Sequence, residues 1–180
     1  FAGIAAFLVF RLKNVLGKRT GFEKKNNPNI DQQAFQNKPE LKTPNLPESL
    51  NELKKAYEVL KNFDHNRFLD GAKIAFETIT NAFNSGDKKT LKNLLTKDVF
   101  KSFESAIDNK QTEQDWQFYS LAVEKVESVK HNSTHINISV SFISEQFKNN
   151  DENTITKKQD TWTFQKPINA DDPKWLLAST

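Results

Sequence analysis

The clearest hydrophobic pattern along the chain lies between residues 67 and 86. Phe68, Ala72, Ala75, Phe76, Ile79, Ala82 and Phe83 recur at steps of three and four, which places them on one face of a helix. Gly86 supplies a left-handed stop, and Asp87 a cap for a second helix. Gly71 falls inside the first helix, where it costs about 1 kcal/mol relative to Ala. The spacing therefore predicts a buried helix with another backbone passing close to Gly71. Two shorter helices come next. Asp87 opens the first of them, with Leu91, Leu94 and Leu95 inward, and Asp98 is expected to cap the second, with Val99, Phe100, Phe103 and Ile107 on one side. Upstream, Leu50, Leu53, Tyr57 and Leu60 mark a short amphipathic helix over 48–62, suited to packing on the domain, self-association or lipid contact.

From Trp116 onward the period changes to two. In "HINISVSFISEQF", Ile136, Ile138, Val140 and Phe142 alternate with Asn137, Ser139 and Ser141. "TKKQDTWTFQK" repeats the pattern with Trp162 and Phe164 inward, and "KWLLAST" supplies a fourth strand. The segments "KHNST", "KNNDENT" and "PINADDP" carry turn residues. Helices first and a meander of strands afterwards give an α+β domain, with the helices laid on one face of a curved antiparallel four-stranded sheet.

The start of the chain is of a different kind. "FAGIAAFLVF" is wholly apolar and runs into "RLKNVLGKR". Ten residues are too few to span a bilayer, which takes about 20. The chain contains no Met, which suggests a fragment, so the ten could close a longer span or form an interfacial helix. Phe7, Leu8, Phe10, Arg11, Lys13, Lys18, Arg19, Lys24 and Lys25 are the candidate membrane-binding residues. Residues 26–47 hold four of the six prolines among Asn, Gln and Lys, the composition of an extended linker. The expected organisation is a membrane-proximal segment 1–25, a linker 26–47, an amphipathic helix 48–66 and a domain 67–180.

Charge sharpens this division. Residues 1–25 carry +5 of a net charge of +3, so the remaining 155 residues sum to −2. That balance argues against direct nucleic-acid binding. No Cys is present, and the five glycines form no phosphate loop, so no thiolate chemistry and no cofactor is expected. His131 and His135 flank a hairpin turn with no third ligand nearby, and His65 lies in a polar helix break, where it is expected to be solvated. The sequons at Asn132 and Asn137 have meaning only in a secretory setting. Phe100, Phe103, Tyr119, Phe142, Trp162 and Phe164 are candidates to line an apolar pocket, with core packing as the plainer role. In a pocket enzyme of this shape, Tyr119 or Asp160 would serve in proton transfer.

"FLDGAKIAFETITNAFNSGDKKTLKNLLTKDVFKSFESAI" resembles the signature of the Tim-forty-four-like domain family, and "DTWTFQK" and "DPKWLLAST" resemble its closing strands. "FLVFRLKNVLGKRTGFE" is similar to the N-terminus of bacterial, alphaproteobacterial-type members. The resemblance implies a cone-shaped domain of the nuclear-transport-factor-two-like type and a place at a bacterial inner membrane, on the cytoplasmic face, equivalent to the mitochondrial matrix side. In that family the mitochondrial import-motor anchor recruits a chaperone to a translocase, and another relative belongs to the mitochondrial ribosome. The linker of residues 26–47 is expected to leave little room for the anchor's long recruiting region, so direct motor recruitment is not expected. The resemblance thus implies a non-enzymatic, membrane-tethered adaptor, with anionic lipids and a translocase, chaperone or membrane-protein client as partners. A lipid- or small-molecule-binding pocket protein, a pocket enzyme and a ribosome-associated structural protein are the alternatives.

Overall fold

A computed structural model describes residues 46–109, 116–148 and 151–180. Residues 1–25, with every candidate membrane-binding side chain from Phe7 to Lys25, lie outside the described residues, as does the linker up to residue 45.

The long apolar stripe forms α2, His65–Ser85. Asp64 caps it by accepting from the amides of Asn66 and Arg67 at 2.9 and 3.1 Å. Gly86 ends it at φ 70°, and Asp87 N–H returns to the Ala82 carbonyl at 2.8 Å, closing a Schellman motif. Asp87 then caps α3, Lys88–Leu94, and the Thr90 hydroxyl and amide hold its carboxyl below the ordinary Asp range. The next helix departs from expectation. α4, Lys97–Asp108, starts from Thr96, whose side chain caps nothing, and Asp98 sits inside the first turn. Thr96 is held instead by its amide, which donates to Leu177 O at 2.9 Å.

Upstream, the stripe of Leu50, Leu53, Tyr57 and Leu60 is split. Glu48–Leu53 is a 3-10 helix and Lys54–Val59 the short helix α1. Leu46, Leu53, Ala56 and Leu60 are buried in the same core as α2.

The sheet runs β1 (Trp116–His131), β2 (His135–Lys148), β3 (Asp151–Pro167) and β4 (Leu176–Ser179) in that spatial order, all antiparallel. Ile136, Ile138, Val140, Phe142, Trp162, Phe164 and Leu177 face the helices and are buried. The other face is a polar ladder. Gln165 donates to Asn137 at 3.1 Å, the Ser139 and Thr163 hydroxyls meet at 2.8 Å, and Ser141 and Gln159 both donate to Glu124. The expected architecture of helices on one face of a four-stranded antiparallel sheet is thus what forms. β1 is the irregular member, with register shifts at Phe118/Ser120, Val123/Lys125 and Val126/Ser128, each of which bends the strand. Its outer side is met by Glu52, whose carboxylate accepts from Val129 N at 3.4 Å while also pairing with Lys55 at 2.6 Å.

Phe76 is the hub between the layers. Its ring lies 4.2 Å from Trp162, 4.7 Å from Phe142 and 6.0 Å from Phe118, centroid to centroid. These aromatic neighbours fill the space between α2 and the sheet.

Candidate binding cleft

The break between α1 and α2 builds the cleft. Asn62 adopts φ 58°, which turns the chain, and the Tyr57 hydroxyl then meets both His65 Nδ1 (2.7 Å) and His65 N (3.2 Å). His65 is therefore a half-buried partner of Tyr57 and not a solvated residue. Residues 60–64 make one end of an open cleft of about 910 Å³. Buried Phe68, Ala72, Phe164 and Lys166 form its floor, and Pro173 and Trp175 contribute from the chain entering β4. Trp175 packs edge-on against Phe68 at 4.8 Å. Arg67, Gly71 and Ile74 stand along α2 at the exposed rim, with Ile74 66% exposed.

Gly71 corrects an expectation. No backbone passes close to it among the described residues, and a Cβ built there would meet nothing within 4 Å. It is exposed and opens into the cleft.

The six candidate pocket aromatics do not line this cleft together; Phe142, Trp162 and Phe164 meet one another in the core, with ring centroids 6.4–6.5 Å apart. Phe164 alone lines the cleft. Phe103, Phe142 and Trp162 are core residues, and Phe100 is partly buried against that core. Tyr119 is 58% exposed, because the register shift between Phe118 and Ser120 leaves it as the extra residue of a bulge. Asp160 is half-buried opposite Phe142 on β2, remote in register from Tyr119. His131 and His135 flank the hairpin turn as expected, with His135 Nδ1 2.8 Å from the Thr134 hydroxyl. Lys166 was missed. The signal was its parity, since it succeeds Trp162 and Phe164 by steps of two on the inward face.

The acidic residues of the cleft are engaged. Asp64 is the cap of α2, and Asp70 pairs with Lys73 at 3.3 Å. Among the described residues no three metal-ligating side chains gather. The cleft offers an apolar floor and three cations, Lys61, Arg67 and Lys166, which is chemistry for holding an apolar segment with a negative group.

At the far end of the same sheet face, the apolar run on β2 gives way to buried Ser144 and Gln146. Lys158 donates to Gln146 Oε1 at 3.3 Å, and Gln146 Nε2 donates to Ser144 Oγ at 2.9 Å. Burial lowers the Lys158 amine from 10.5 to about 8, against the opposing pull of Asp160. Between these two values the unfolded chain binds the proton that the folded one has released. Stability therefore rises with pH across that window. Urea unfolding measured through it is expected to show this rise in the parent and to lose it in Lys158→Met. Parallel pH curves would refute it.

Similarity to known proteins bears on this geometry. The Tim44-like domain family matches residues 50–180. The chain belongs to that family. The Tim44-like domain thus begins upstream of α2 and takes in α1 and most of the 3-10 helix, in keeping with their shared core. A search of curated proteins finds no significant match. Among solved structures, the intermembrane space region of the chloroplast protein ARC6 is similar at 12% identity and a TM-score of 0.36, over 66% of this chain and 95% of that one. A score that low carries no argument about the cleft. Among the described residues of the Tim44-like domain and its approach, no helix is long and apolar enough to cross a membrane.

Proposed function

We propose that this protein is a non-enzymatic adaptor, held at the cytoplasmic face of an inner membrane by residues 1–25 while its Tim44-like domain engages a protein partner. The family is one associated with protein import, and assistance to translocation or membrane-protein biogenesis is the role we assign. The observation that carries the reading is the cleft: it is open and apolar, with its carboxylates already engaged in capping and pairing. Basic residues such as Lys13, Lys18, Arg19, Lys24 and Lys25 would contribute about 1 kcal/mol each against anionic headgroups.

Flotation with phosphatidylglycerol vesicles tests the tether. The full chain is expected to float, less so as salt rises, and a chain lacking residues 1–25 to stay in the soluble fraction. Flotation of the shortened chain would refute the assignment.

A further inference from the structure

The cleft holds a charge that no carboxylate of the described residues neutralises. Lys166 is 9% exposed, and its ammonium donates to the backbone carbonyl of Asp172. No carboxylate of the described residues pairs with it. An ammonium carries three donors, and among the described residues this one meets a single acceptor. Arg67 and Lys61 add the same sign at the rim, where Asp64 and Asp70 already serve the backbone and Lys73.

A second feature lacks its counterpart. Gly71 weakens α2, yet nothing in the described domain occupies the space that its missing side chain opens. Ala75 lies one turn further along and Ile74 stands exposed beside it, so this stretch of α2 pairs a low spot with an apolar residue in reach. From Arg67 to Thr78 the wall is about 16 Å long, roughly three helical turns.

We infer that the cleft receives an amphipathic helix of a protein partner, with its apolar face on Phe68, Phe164 and Trp175, its backbone against Gly71, and an acidic side chain meeting Lys166. The inference rests on the adaptor reading above and names the chemistry of the partner. Gly71 and Ala75, one turn apart on this wall, favour close approach of a second helix backbone. A flexible acyl chain gains nothing from it.

The test uses the full chain and two fluorescein-labelled model helices of Leu, Ala and Gln, one with a single central Glu and one with Gln in its place, read by anisotropy. The Glu peptide is expected to bind roughly tenfold tighter, and Lys166→Met to erase that ratio. Gly71→Leu, which fills open space, is expected to weaken both peptides by roughly tenfold without lowering the thermal midpoint. Phosphatidylglycerol vesicles form the third arm. Failure of both peptides to bind, equal affinity for the two, or full binding by Gly71→Leu overturns the inference. So does a Gly71→Leu effect confined to vesicle binding, which would make lipid the occupant. The peptides are added in trans, so their result is independent of whether residues 1–25 tether the chain.

Discussion

Phe76→Ala is expected to lower the unfolding free energy by about 3–5 kcal/mol, the range for truncating a buried Phe. Three aromatic rings of the sheet lie within 6.0 Å of its centroid, and they come from β1, β2 and β3. The void would sit where the layers meet, among side chains fixed by their strand register and unable to slide inward. Native stabilities run to about 5–15 kcal/mol, so this one change would leave a domain close to unfolding at room temperature. Urea denaturation measures it. Ile74→Ala, on the same helix but exposed, provides the contrast, with an expected effect within about 0.5 kcal/mol. Similar losses for the two variants would mean that α2 is not seated as described.

Leu53→Ala is expected to cost about 2–5 kcal/mol. Leu53 is fully buried although it lies well upstream of α2, and the 3-10 helix that carries it packs against β1. The loss would show that residues 46–60 are an integral layer of the domain. An effect within about 0.5 kcal/mol would make that segment a detachable arm.

Much of this fold is legible in the order of side chains. The face of α2, the glycine that ends it and the alternation of β2 come from spacing alone, because a helix and a strand repeat at 3.6 and 2 residues whatever surrounds them. The strand that deceives is β1. Three register shifts reset its alternation, and the one between Phe118 and Ser120 leaves Tyr119, read as a pocket residue, exposed. Leu50, Leu53, Tyr57 and Leu60 announce an apolar stripe, but a stripe does not say which surface covers it. The answer lies in contact with a sheet edge, where Glu52 reaches a strand residue 77 positions away. The cleft is half legible. Gly71 advertises a close neighbour, and the described domain does not contain it. Lys166 can be placed by parity, yet the absence of a partner carboxylate among the described residues depends on where Asp64, Asp70 and Asp172 end up, which is a fact of assembly.

Glu52 has a consequence beyond holding its own segment. An outermost strand presents a row of open main-chain donors and acceptors on which a foreign strand can crystallise. On β1 that row is interrupted three times by kinks and stoppered at Val129 by a carboxylate. Along this edge, copies crowded together are therefore poor templates for one another.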